Sequence, residues 1–231
     1  FNNAFKASSR KLKFKGYYCP RLGYMLKRSK GSLLDEEAAF CFLNTQTINK
    51  HMNYLELKNK PFFIIDVESI GIHGEGFAVA GGVYINGKPE NEFCLSCPPD
   101  EVSGDQDDRN WIKKNIPEIK VTNQFPVLMR NNFWRRWEEA KAEFPNIVMA
   151  GECIWPVETN FLSACINDFT LERKWKGPYP FYDISSIMLA SGMDPMKNYT
   201  RNEDELPCHN PLADVRLSAR LLMTALDWST T

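Results

Sequence analysis

The pattern of apolar and polar positions is irregular over residues 1–60 and becomes regular at Pro61. Phe62 to Ile65 is a continuous apolar run, the pattern of a short strand buried on both faces. Gly71 to Gly76 is a glycine-rich turn. Phe77 to Ile85 reads as a second strand, and Asn86-Gly87 after it is a two-residue hairpin signal. Glu92 to Cys97 is the returning strand, so three strands meander antiparallel. No helix follows the glycines, which excludes a dinucleotide fingerprint. Pro98 to Asp108 is an acidic, turn-rich loop. Helices are predicted over Arg109–Ile116 and within Gln124–Phe144. In the second, Phe133, Trp134, Trp137, Ala140 and Phe144 recur at helical spacing and form a core face. The aromatic pair is also of a kind that stacks on bases, but burial is the commoner fate of such residues.

From Asn146 the pattern alternates between strand and helix. Ile147–Gly151 is a strand and Glu158–Asn167 a helix. Pro180–Asp183 is a short strand leading into a helix through Ala190, and a last helix runs from about Pro211 to Leu226. A meander followed by strand–helix units implies an α/β fold, a mixed sheet flanked by helices. Within residues 1–60, Asp35–Leu43 is the one helical candidate. The chain therefore divides into an N-terminal extension, 1–60, and a domain, 61–231.

Composition changes this picture in two places. The chain has 231 residues, 43% hydrophobic and 25% charged, an ordinary globular composition. No apolar run approaches the roughly 18–20 residues of a membrane span. Seven cysteines, with no secretory signal ahead of them, suggest free thiols in a reducing intracellular compartment such as the cytoplasm. Cys94 and Cys97 form a lone CxxC with no second pair at zinc-ribbon spacing. The charge is also uneven. Residues 1–30 hold nine Lys/Arg and no acid, which, against a net charge of −1, leaves residues 31–231 at −10. Such a basic leader suits a polyanion such as nucleic acid, or is simply a solvated tail.

The chemistry gathers at element ends. Asp66 and Glu68 leave one face of the first strand, about 6–7 Å apart. Two acids ending a buried strand are either solvated or share a cation, and all-oxygen ligands suit Mg²⁺ or Mn²⁺. Glu158 opens the helix after the fourth strand, where an acid also suits the helix dipole, and Glu152 on the preceding loop is its rival. His209 stands five residues before Asp214, which lies in the first turn of the last helix. A neutral imidazole is a general base suited to pH 7.

Asp-x-Glu on a first strand, an acid followed by x-x-Phe-Leu on a helix, and His-x4-Asp before a last helix, in this order, resemble the DEDDh exonucleases over roughly residues 61–228. The resemblance implies a ribonuclease-H-like fold and two Mg²⁺ or Mn²⁺ ions held by Asp66, Glu68, Glu158 and Asp214. It implies His209 as the base that deprotonates the attacking water, and Ser69 and Ile70 as contacts to the terminal nucleotide. The activity implied is 3′–5′ exonucleolytic release of nucleoside monophosphates from a single-stranded end, RNA ahead of DNA, in a chain that could form a homodimer. Two features depart from the superfamily: Glu158 stands where Asp is usual, and Cys153-Ile154 replaces a common His-Asn pair. These departures keep open a nucleic-acid-binding subunit with little activity, and an endonuclease of the same fold is a third reading.

Overall fold

The computed structural model describes residues 54–228. The predicted helix at 35–43 and the basic leader lie outside the described residues. Five strands form one mixed sheet in the order β3-β2-β1-β4-β5. They are β1 (Phe62–Ser69), β2 (Gly76–Ile85), β3 (Lys88–Ser96), β4 (Val148–Gly151) and β5 (Phe181–Asp183). The helices are α1 (Tyr54–Lys58), α2 (Gln106–Asn115), α3 (Pro126–Glu143), α4 (Val157–Asp168), α5 (Thr170–Arg173), α6 (Ile184–Ala190) and α7 (Pro211–Trp228).

β1, β2 and β3 are the antiparallel meander, while β4 adds parallel to β1 and β5 parallel to β4. Asn86 and Gly87 both have positive φ, 52° and 76°, as a two-residue hairpin turn requires. Ile85 therefore pairs directly with Lys88, and β3 starts four residues earlier than its apolar pattern suggests. Residues 88–91 are exposed, so nothing apolar announced them. Helix α2 likewise starts early, because Asp105 caps it by accepting from the Asp108 N–H at 2.9 Å.

The sheet separates two apolar layers. Phe63, Ile65 and Val67 of β1 face α3 and α4. There Phe63 meets Phe133 and Trp137 edge-on, with centroids 6.1 and 5.5 Å away. Phe133, Trp134, Trp137 and Ala140 are buried, so this aromatic face is core. Phe62 and Ile64 face the other way, against α6 and α7, and Leu57 of α1 joins that layer. Arg130 of α3 is buried and ties the first layer together, with Nε and Nη2 donating to Asp168 at 2.7 and 2.9 Å and Nη1 to Glu75 at 2.5 Å. Cys94 packs against the α7 layer and Cys97 against the α3 layer, on opposite faces, so the CxxC is two core positions and not a zinc half-site. Among the described residues no helix is long and apolar enough to cross a membrane.

Candidate active site

The parity of β1 places the acids. Asp66 and Glu68 share the face of Phe62 and Ile64, toward α7, in the C-terminal half of β1, beyond its parallel pairs with β4 at residues 62–64. Across the sheet they pair with Ala80 and Ala78, which leave room for carboxylates. Helix α7 begins where Asn210 Oδ1 accepts the Leu212 and Ala213 N–H groups at 3.1 and 3.3 Å. That start sets Asp214 in the first turn. Oxygens of Asp66, Glu68 and Asp214 lie within 4.8 Å of one another. Among the described residues this is the one group of three or more potential ligands brought that close.

Glu158 is buried in the first turn of α4 and reaches β1 from the opposite layer, where its Oε1 accepts the Val67 N–H at 3.4 Å. It is not one of the three clustered acids, but its charge acts on two of them. Burial, then Glu158, Glu68 and Asp214, raise the Asp66 carboxyl well above its ordinary range. Burial, Asp214 and Glu158 push Glu68 up to about 8. Burial pushes Glu158 to about 7, against the pull of its backbone hydrogen bonds. Burial also raises Asp214, and Arg201 and His209 oppose the rise. The rival Glu152 is not one of the clustered acids; it accepts a 3.0 Å hydrogen bond from Ser218 Oγ, and its charge adds to the rise of Asp66.

Two features of this site were not anticipated from the sequence. Arg201 Nη1 lies 2.5 Å from Asp214 Oδ1, a built-in cation at the edge of the cluster. Its position is fixed by a 2.8 Å bond to the Glu205 carbonyl. Trp111 of α2 lines an open groove of about 370 Å³ together with Glu68, Ser69 and His209. It stands out in the sequence of α2 as a lone large aromatic among polar residues. His209 is exposed, in a left-handed conformation at φ 60°, with its imidazole 5.6 Å from the Trp111 ring.

Ser69 stands at the groove, its Oγ bonded to the Gly71 carbonyl at 2.7 Å. The Ile70 side chain, expected at the terminal nucleotide, instead packs in the core at 1% exposure. The register slips between Glu68 and Ser69, and Ile70 turns inward over Gly104. Ile72, 65% exposed, takes the place at the groove. Asp183 serves as the cap of α6, accepting the Ser186 N–H at 3.0 Å. The donor set at the cluster is all carboxylate and partly desolvated, with charges that repel unless a cation enters. Hard divalent ions such as Mg²⁺ or Mn²⁺ fit that chemistry.

No protein-family model and no curated protein matches the sequence. The fold does have solved counterparts. Pop2p of S. pombe, in its Mg²⁺- and Mn²⁺-bound form, is similar with a TM-score of 0.52 at 12% identity, over 78% of this chain and 87% of that one. Exonuclease I from Methylocaldum szegediense is similar with a TM-score of 0.50 at 16% identity. The match covers 72% of this chain but 40% of the exonuclease. With a three-stranded antiparallel meander extended by two parallel strands and flanked by helices, the chain has a ribonuclease-H-like α/β fold, which these two structures share.

Proposed function

We propose that the protein is a divalent-metal-dependent 3′–5′ exonuclease acting on single-stranded nucleic acid, RNA ahead of DNA. The observation that carries this reading is the meeting of Asp66, Glu68 and Asp214 beside a groove that also holds His209. Asp66, Glu68 and Asp214 would hold the metal, with Glu158 reaching the same centre from α4. Two Mg²⁺ or Mn²⁺ ions fit the four carboxylates, and Pop2p, of the same fold, was determined with those metals. When bound, such ions neutralise charge on the phosphate and make water acidic enough to be a nucleophile near pH 7.

The chain's own residues supply the rest. His209, exposed at the groove, accepts the proton of the attacking water on its imidazole. Ser69 and the apolar groove wall hold the terminal nucleotide. Arg201 beside Asp214 opposes the rise that burial imposes on that carboxyl.

The same arginine favours a second reading, a nucleic-acid-binding subunit that cleaves little, because a guanidinium already neutralises one acid of the trio. Incubation with 5′-labelled single-stranded RNA and its DNA counterpart, with Mg²⁺, Mn²⁺ or EDTA, separates the two. A metal-dependent ladder shortening from a free 3′ end, and blocked by a 3′ cap, is the expected result. Bound but intact strands in all three conditions refute cleavage and leave the binding subunit. Internal cuts in a 3′-capped strand would identify an endonuclease instead.

A further inference from the structure

Arg201 is delivered to Asp214 by a segment that does not need that contact to stay in place. From α7, Arg216 Nη1 donates to the Asp204 carbonyl at 3.1 Å and Arg220 Nη2 to the Thr200 carbonyl at 2.8 Å. Arg220 also grips the Glu205 carboxylate with both of its oxygens, at 2.6 and 2.7 Å, and Glu205 is 2% exposed. Residues 200–205 are therefore fastened to α7 at both ends without the Arg201 side chain. That side chain donates from Nη1 to the Glu205 carbonyl at 2.8 Å, and the same nitrogen lies 2.5 Å from Asp214 Oδ1. The two side chains are 19% and 16% exposed, so this ion pair is not a solvated surface pair.

The placement puts a permanent cation against one acid of the trio. A guanidinium keeps its charge throughout the working pH range. The charges acting on Asp66 and Glu68 are those of neighbouring acids, whereas Asp214 is drawn down by Arg201 and His209. A divalent ion held by Asp66, Glu68 and Asp214 calls on the same Asp214 charge that Arg201 neutralises. The ion and the guanidinium also repel each other, and partial burial leaves that repulsion poorly screened. Two cations that draw on one carboxylate compete for it, so whatever Arg201 gains at Asp214 is subtracted from the affinity for the ion.

We propose that Arg201 is a resident counter-ion that competes with the divalent metal for Asp214, so that metal loading exchanges one cation for the other and Arg201 sets how tightly the metal is held. The assignment rests on the metal centre of the exonuclease reading, and its test is a binding measurement that does not depend on hydrolysis. Mn²⁺ is titrated into the full chain by calorimetry at pH 8, for wild type and for Arg201→Met, Arg201→Gln and Arg201→Lys. Arg201→Met should bind Mn²⁺ on the order of tenfold more tightly. Arg201→Gln, neutral but still able to donate to the Glu205 carbonyl, should do the same and keeps the test open where the methionine variant fails to fold. Arg201→Lys retains the charge and should stay within about threefold of wild type. Thermal unfolding supplies the second readout. In EDTA the neutral variants should melt below wild type, since Asp214 loses its cation, and saturating Mn²⁺ should close or reverse that gap. An arginine that merely fastened residues 200–205 would lower Tm equally in EDTA and in Mn²⁺ and leave the affinity unchanged. That result, or weaker binding in both neutral variants, overturns the exchange and leaves the metal centre standing. Absence of Mn²⁺ binding in wild type and in the neutral variants overturns the metal centre and the exchange with it. Tighter binding in the neutral variants supports the exchange even where no strand is cut, so a failure of the exonuclease reading is seen separately.

Discussion

Replacing Glu68 by Gln is expected to stabilise the metal-free protein at pH 8 and to leave it unchanged near pH 4.5. The shape is conserved and only the charge is removed. Burial, Asp214 and Glu158 raise the Glu68 carboxyl from 4.5 to about 8. An unfolded chain loses this proton near pH 4.5, whereas the folded chain keeps it until about pH 8. Within that window the folded state binds more protons, so stability is full below the window, falls as pH rises through it, and levels off above it. At about 1.4 kcal/mol for each unit, the ceiling of the loss is about 5 kcal/mol. Glu68 is partly exposed, and solvent screening reduces this to roughly 2–3 kcal/mol. For a chain of this length that is roughly 5–10 °C in Tm.

Thermal unfolding in EDTA at several pH values from 4.5 to 8 reads the effect. Wild type should lose Tm steadily across the series, and Glu68→Gln should lose less. Added Mn²⁺ at pH 8 should restore wild type more than the variant, since a ligand of the native state adds stability in proportion to its affinity. Two parallel curves, or a variant less stable than wild type at pH 8, would refute the electrostatic account of the cluster.

Three further outcomes follow from the geometry. Mn²⁺ affinity by calorimetry should rise between pH 6 and 8, on the order of tenfold per unit for each proton displaced. The rise is expected because Glu68 and Glu158 hold protons to about 8 and about 7 and must release them to bind; a flat affinity would place the metal elsewhere. Glu158→Asp should retain more activity than Glu158→Ala, and Glu152→Ala should be mild, costing about 1 kcal/mol of stability for the lost Ser218 bond. A dead Glu152→Ala enzyme would exchange the two roles. Arg130→Met should cost about 3–5 kcal/mol in denaturant unfolding, because it leaves Asp168 and Glu75 without their cation in a half-buried site; a loss under about 1 kcal/mol would show the network to be dispensable.

Most of the sheet was legible because its signals are local. The β2–β3 hairpin is announced by Asn86-Gly87, and the β1 run needs both faces covered. The first four residues of β3 were missed because an exposed strand edge carries no apolar pattern. Helices α1 and α5 were missed for a related reason. Their five and four residues are too few to show a helical period, and in α1 Leu57 is the anchor. The acids of β1 were legible as a pair because period two fixes their common face without knowledge of the rest of the fold.

The remainder of the site depends on contacts that no local pattern encodes. Arg201 reaches Asp214 across a turn-rich stretch without periodicity, and Trp111 reaches His209 across 98 positions of sequence. Ile70 was expected at the terminal nucleotide from its place directly after the Asp-x-Glu motif, and that position does not reveal that the register slips at Ser69 and the chain turns inward. One signal was available and carried the relevant information. In Phe77-Ala-Val-Ala-Gly-Gly82 the positions that oppose Glu68 and Asp66 are both alanine, at 0% exposure. A fully buried central strand ordinarily fills such positions with larger side chains. Small residues opposite two acids leave the space that carboxylates need to turn toward α7, so the vacancy in β2 and the charge in β1 are two halves of one site. An Ala80→Val change tests that coupling, since its added methyl groups would crowd Asp66 while leaving every acid in the chain.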